Sequence, residues 1–391
     1  MVIRLAHRNS FSFVIFLSAF WLSTLHVLAL VSNGENRALS FSTLQSATFD
    51  PTCLEKGANQ LPRTSILLKI GYDGSHYFGW SAANKSQRTV EGELKKKLAK
   101  IFGNLDPECV IVEGCSRTDK GVHAQGMVAQ AYAITPSALD ATRVGLCPYY
   151  PGQPSIPGKR YPHPWNNTDS TECFVPILAT ASKIGFALNR MSGVDLRIFA
   201  VAPSPTRSRD DVPFHPTLHA RLKTYQYTIS TGTIADPIRR KRVWHVGKVV
   251  DDLFLDRMQD AARLLQGAHD FTAFSPIPKG PQDRKRRKES DFNGTCDLAS
   301  IQIAPTDYRW RDTREITITI TGNRFLYKMA RMLVGTFVAV GMGAMTPSQI
   351  QSALVYGERL PTHIVECAPP HGLVLQHVDL DARIEWEPVN S

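Results

Sequence analysis

From Ser65 onward the apolar residues of this 391-residue chain switch between a period of two and a period near 3.6, in the same order twice. That restricts the chain to a mixed fold of two related halves. The first half opens on Ser65–Tyr72, a β-branched and aliphatic strand, closed by the turn Asp73-Gly74-Ser75 and the aromatic stretch His76–Trp80. Thr89 is the N-cap of a helix that sets Leu94, Leu98 and Ile101 on one face. Strands follow near Cys109–Glu113 and Gly126–Ile134, then a helix over Val175–Met191 and a strand over Leu196–Val201. The second half repeats the theme: a strand at Tyr225–Thr231, a helix at Asp252–Gln266, a strand at Glu315–Thr321, helical periodicity over Phe325–Val340 and a closing strand at Gly372–Val378. The expectation is an α+β architecture with a continuous sheet, divided into halves at 65–205 and 206–391. Two Pro/Gly-rich inserts, about 140–170 and 276–294, interrupt it as surface loops.

Residues 1–64 read as an address rather than as part of the fold. Arg4, His7 and Arg8 precede an apolar run from Phe11 to Val31, the order of a secretory signal peptide. The run is also long enough for a membrane anchor, although Ser12, Ser18, Ser23, Thr24 and His26 dilute it. A Ser/Thr-bearing, mildly basic stretch follows to about Ser65. Signal-like and then transit-like, this order suits import into an organelle with extra membranes, a plastid first and a mitochondrion second. No membrane association of the mature protein is expected.

Charge and thiols narrow the chemistry. A formal net charge of +10 favours polyanions, because neutralising phosphates releases condensed counterions. The Lys/Arg run Arg284–Lys288 sits inside the second insert, where it reads as a solvated loop before it reads as an RNA contact or a nuclear-import signal, the last weakened by the N-terminal address. Seven cysteines are scattered with no Cys-x-x-Cys spacing and no Cys/His cluster, which excludes a zinc ribbon and argues for reduced thiols. No glycine-rich phosphate loop or dinucleotide fingerprint is present, so the expectation is a reaction without metal or cofactor.

One loop could carry chemistry: Ser116-Arg117-Thr118-Asp119-Lys120-Gly121-Val122-His123-Ala124, between two strands. Alone, a carboxylate in such a place is first of all a turn former, and only then a nucleophile or general base. Three other features raise the chemical reading. Tyr225 and Tyr227 share one face of a strand and could stack on a base. Arg331 lies among Met and Leu residues, where burial is costly without an acid, and a loop carboxylate would be held ionised by it. Tyr72-Asp73-Gly74 with Tyr77, Phe78 and Trp80 places aromatics beside a basic surface.

In this combination the chain resembles the TruA-like family of tRNA pseudouridine synthases, from about Ile66 to Val378. The loop Ser116–Ala124 matches the family's active-site signature. Around it Tyr72-Asp73-Gly74, Gly79-Trp80, Thr89-Val90-Glu91, Asp270-Phe271-Thr272, Phe325-Leu326, Met329-Ala330-Arg331 and Gly372-Leu373 follow in the family's order. The resemblance implies the pseudouridine synthase fold, two ferredoxin-like halves with the active-site cleft between them. It implies isomerisation of uridine in tRNA, with the anticodon stem-loop at positions 38–40 as the target. Carried over position by position, Asp119 is the nucleophile, Tyr225 stacks on the base, Arg331 pairs with the carboxylate, and Arg117 helps extrude the nucleotide. His123 completes the substrate-binding set. The family contains both monomers and homodimers. The other reading is an RNA-binding or RNA-chaperone protein that keeps this fold without turnover.

The chain departs from the pattern at three places: Thr217 stands where the family has an arginine, Ser81 where Gln often follows Gly-Trp, and Ala330 where Val is usual. Arg221 lies four residues beyond Thr217. The reaction itself breaks the N1–C1′ bond and rejoins the base through C5, with no redox step and no group donor. A carboxylate can attack either C1′ or C6, and the residues leave that choice open.

Overall fold

The computed structural model describes residues 2–6, 12–16, 64–82, 84, 86–143, 173–205, 214–251, 253–276 and 293–389. The chain divides into two units, Met1–Asn59 and Gln60–Ser391. In the first, β1 (Val2–Ala6) pairs antiparallel with β2 (Ser12–Phe16). The rest of the Phe11–Val31 run lies outside the described residues, as do the parts of the two inserts at 144–172 and 277–292. Among the described residues no helix is long and apolar enough to cross a membrane.

The second unit is built on a ten-stranded mixed sheet. Its N-terminal half contains β3 (Ser65–Tyr72), β4 (Val110–Gly114), β5 (His123–Ala133) and β6 (Leu196–Pro203). Helices α1 (Val90–Ile101) and α3 (Ala181–Met191) pack on these strands, and a short α2 (Pro136–Arg143) precedes the first insert. The C-terminal half contributes β7 (Ala220–Thr231), β8 (Trp244–His245), α4 (Phe254–Leu265), and a separate ladder of β9 (Gly267–Asp270) with β10 (Thr295–Leu298). It continues with β11 (Ser300–Trp310), β12 (Thr313–Gly322), α5 (Met329–Gly341), α6 (Pro347–Tyr356) and β13 (Leu373–Leu380). A last strand, β14 (Glu387–Pro388), returns to pair with β6 at the far edge. The main order is β11-β12-β7-β13-β5-β3-β6-β14.

Local chemistry explains most boundaries. Thr89 accepts from Gly92 N at 3.1 Å, as its cap position requires, and Lys95–Glu91 and Lys97–Glu93 pairs at 2.7 and 2.6 Å staple the exposed side of α1. Val90, Leu94 and Leu98 are fully buried beneath it. The α4 stripe Phe254, Met258, Ala261, Ala262 and Leu265 has helical spacing and is buried throughout. Two helices begin later than their periodicity predicts. Val175 is bonded to the end of β5, with Val175 N 2.9 Å from Ala133 O, so α3 starts only after the Thr180 cap. Lys328 has φ 56°, a left-handed conformation no helix interior tolerates, so Phe325–Lys328 forms an approach to α5 rather than its first turn.

The halves meet where β13, from the C-terminal half, pairs antiparallel with β7 and parallel with β5. A Cβ on Gly126 would lie 2.1 Å from the Gln376 carbonyl oxygen, so β13 can run this close to β5 only past a glycine. The seam aligns a row of residues across four strands: Tyr72 opposite Ala124, Ala124 opposite Leu375, and Leu375 opposite Tyr225. Directly opposed residues face the same side of a sheet. Tyr72 and Tyr225, one from each half, therefore project toward the same space.

Candidate active site

The loop between β4 and β5 lies over that row and is held from both halves. Tyr72 Oη and Thr118 Oγ1 are 2.8 Å apart, and Tyr225 Oη and Ser116 Oγ 3.0 Å apart. The backbone adds Trp80 N to Thr118 O at 3.1 Å and a turn closed by Val122 N on Asp119 O at 3.1 Å, with Gly121 at φ 81°. Gly79, at φ 97°, lets the preceding segment touch the loop: a Cβ there would stand 2.5 Å from Thr118 O.

At the centre Arg331 Nη1 is 3.1 Å from Asp119 Oδ2, and Arg331 Nε donates to Ala368 O at 2.6 Å. Arg331 stands in the first turn of α5, a helix buried on nearly every side, and its side chain is 11% exposed against 28% for Asp119. The guanidinium is thus fixed by the wall behind it, while the carboxylate keeps one face toward the opening. Tyr225 is 6% exposed, and its ring meets Phe325 edge-on at 4.9 Å. Burial pushes the Tyr225 phenol up to about 12, against the pull of its Ser116 hydrogen bond and with help from the Asp119 charge. It stays protonated at neutral pH and offers a ring and a hydroxyl, not a phenolate. Tyr72 is shifted upward by burial in the same way.

These residues line a cleft of about 1300 Å³ that runs from Asp119 along α1, bounded by Trp80, Arg117, Lys223, Tyr225 and Arg331 among others. That exceeds the 300–1000 Å³ typical of small-molecule pockets. Arg117 is exposed at its lip. Lys120 lies 4.2 Å over the Phe78 ring beside it. No group of His, Cys, Asp and Glu among the described residues could hold a metal ion.

His123 is placed elsewhere than the expectation of substrate contact requires. It is fully buried and does not line the cleft. Its Nδ1 accepts from Gly74 N at 3.1 Å, and its Nε2 faces the carbonyls of Lys241 and His371, each at 3.1 Å. Burial, then the Arg242 charge, lower its pKa, so the ring is a neutral pin joining three loops. Its neighbour Asp73 is held down to about 2: burial opposes this, and the Ser75 hydrogen bonds outweigh it.

Three residues take a place at the site that the sequence did not assign to them. Tyr72 was visible as an aromatic, but its bond to Thr118 depends on the pairing of β3 with β5. Lys223 precedes Tyr225 by two residues on the same strand face and lines the cleft, and burial lowers its pKa. Thr217 also lines the cleft, where its hydroxyl donates to Gly114 O at 3.2 Å, whereas the exposed Arg221 does not line it.

Comparison with known proteins agrees with this geometry. The family described as tRNA pseudouridine synthase matches residues 70–147 and 261–381, which span the loop, Arg331 and β13. The chain is 31% identical to tRNA pseudouridine synthase A of Ruminiclostridium cellulolyticum over 315 residues, 80% of this chain and 98% of the relative. It is 30% identical to tRNA pseudouridine synthase A of Syntrophotalea carbinolica, over 80% and 95% of the two chains. It is 29% identical to tRNA pseudouridine synthase A 2 of Protochlamydia amoebophila, over 80% and 93%. A carboxylate–arginine pair under a cleft built from both halves and matches over nearly the whole length of these relatives point one way: the chain belongs to the TruA-like family of tRNA pseudouridine synthases, a family of isomerases.

Proposed function

We propose that this protein converts uridine to pseudouridine in tRNA, with Asp119 as the nucleophile and the anticodon stem-loop, positions 38–40, as its target. The observation that carries the reading is the Asp119–Arg331 pair, in which a rigid arginine orients one carboxylate oxygen at the floor of a large cleft. The carboxylate attacks C1′ or C6, the N1–C1′ bond breaks, the base turns, C5 joins C1′, and the bond from Asp119 to C1′ or C6 breaks to release the carboxylate. The C5 proton leaves and N1 regains one, so the product is an isomer and no donor is consumed.

A uridine stacked in a stem-loop must be flipped out to reach Asp119, at a cost of a few kcal/mol. Stacking of the extruded base on Tyr225 returns about 1–3 kcal/mol. Arg117, exposed at the lip, enters the vacated place. The test is incubation with tRNA transcripts followed by chemical adduct formation and primer-extension mapping. Stops at positions 38–40 are expected. Tight binding without pseudouridine in any transcript would favour an RNA-binding role on the same fold.

The same reading places the protein in an organelle, a plastid in the first instance, delivered by residues 1–64. Among the described residues Cys115, Cys173, Cys296 and Cys367 are free thiols, in keeping with a reducing stroma. A fluorescent protein carrying residues 1–64 should collect in the plastid; a diffuse cytosolic signal would refute this placement.

A further inference from the structure

At the outer end of the C-terminal half, the segments 232–250 and 306–315 carry eight Lys or Arg residues against four acids. Three of those acids are engaged within the cluster. Asp236 accepts from Tyr308 Oη, Asp312 accepts from Thr233 N and Oγ1 at 3.0 and 2.8 Å, and Glu315 accepts from Arg239 Nε and Nη2 at 3.0 and 2.7 Å. Arg239 also lies 4.9 Å over the Tyr308 ring, and Thr313 Oγ1 donates to Ile234 O at 3.0 Å. These contacts bind the loop after β7 and the β11–β12 hairpin into one rigid platform.

Three arginines on that platform have no acidic partner among the described residues: Arg309, Arg311 and Arg314, all exposed. Arg309 and Arg314 are direct cross-strand partners, so two like charges face the same side in register, a pairing that weakens a hairpin. Arg311 holds the hairpin tip at φ 57°, a position glycine fills at least cost, and lies 5.2 Å over the Trp310 ring. A hairpin that keeps an arginine in a strained turn and two more in mutual repulsion is built for an anion supplied from outside. The spacing identifies what kind. Ile320 is the β12 partner of Tyr225, and seven strand steps from Thr313 to Ile320 span about 23 Å. A ligand seated in the cleft and on the hairpin together must be an extended polyanion.

We propose that the β11–β12 hairpin, through Arg309, Arg311 and Arg314, is a second RNA contact that grips the phosphate backbone of the tRNA about 23 Å from the target uridine. This rests on the tRNA reading of the cleft and adds where the body of the substrate is held. Backbone contacts of this type carry no base specificity and register the folded RNA by shape.

The test measures binding of the full chain to a full-length tRNA transcript over a range of KCl concentrations. The Arg309→Ala/Arg311→Ala/Arg314→Ala variant should bind at least tenfold more weakly. The slope of log affinity against log salt should be shallower by roughly 2 to 3, about one per lost phosphate contact. The corresponding triple Lys variant should keep most of the affinity. Thermal unfolding separates contact from fold, because removing the like-charge pair should leave the Tm unchanged or higher; if the triple variant unfolds, Arg314→Ala alone gives the same reading. An affinity within twofold of the parent and an unaltered slope would overturn the proposal. So would a change of oligomeric state with RNA affinity retained, which would assign the hairpin to a second copy of the chain. Because binding and not turnover is read, a protein that makes no pseudouridine yet loses tRNA affinity in the variant would sustain this inference while refuting the proposed activity.

Discussion

Arg331 Nη1 sits 3.1 Å from Asp119 Oδ2 while Nε of the same guanidinium donates to the Ala368 carbonyl at 2.6 Å. The two bonds divide the work of one side chain. The backbone carbonyl fixes the plane of the fork, and the remaining arm sets the rotamer of a carboxylate that would otherwise be free to turn with its loop.

Arg331→Leu should therefore fail in two ways. It leaves Asp119 and the Ala368 carbonyl without their donor, at about 1–3 kcal/mol of stability once partial exposure is allowed for. It should also lower turnover by about two to three orders of magnitude, the usual loss when a preorganised cationic donor is removed. Arg331→Lys retains charge without the fork and should recover stability better than rate. Urea unfolding and single-turnover kinetics report the two effects separately; a stable, fully active Leu variant would refute the pairing.

Gly79→Ala tests whether the loop is held from outside. The added Cβ meets Thr118 O at 2.5 Å, and φ 97° is unfavourable to any side chain. A loss of about 2–4 kcal/mol and a lower kcat at unchanged tRNA affinity are expected. Unaltered kcat would mean that the loop keeps its place without this contact.

His123 predicts a pH dependence. Its folded pKa lies below the unfolded 6.5, so between the two the unfolded chain binds more protons. Its contribution to stability is complete above about 6.5 and is lost as pH falls toward the folded value. The urea midpoint should decline below pH 6.5 in the parent, and this component should be absent from His123→Gln. A parallel decline in both proteins would contradict the buried neutral ring.

Asp73 acts lower on the scale. Held to about 2 in the fold against 3.8, it stabilises above the unfolded value, and this is lost as pH falls from about 4 toward 2. Asp73→Asn should flatten that part of the acid unfolding curve, as followed by circular dichroism.

The strands and helices that alternate cleanly were readable from sequence because burial on one face writes its period into the residues, as in Ser65–Tyr72 and in the α4 stripe beneath Phe254 and Met258. β11 was not readable, because its outer part, Thr306–Trp310, mixes Asp, Arg and aromatics around a register shift after Pro305. The start of α5 was set by the backbone of Lys328, where apolar spacing continued unbroken through a left-handed residue. At the site, Asp119 and Arg331 were paired by the cost of burying an arginine among apolar neighbours. His123 lies in the same loop signature yet faces away from the cleft, since the first residue of β5 points to the carbonyls of Lys241 and His371. The link from Tyr72 to the loop depends on strand pairing between distant segments, which no local pattern records.

Everything in the proposed reaction turns on Asp119 as the attacking group. The most direct measurement is release of tritium from tRNA labelled at C5 of uridine, since that hydrogen leaves only when C5 bonds to C1′. With enzyme in excess over RNA, Asp119→Asn should bind tRNA as the parent does and release no tritium above the background without enzyme. Release by Asp119→Asn at a rate near that of the parent would show that another group attacks.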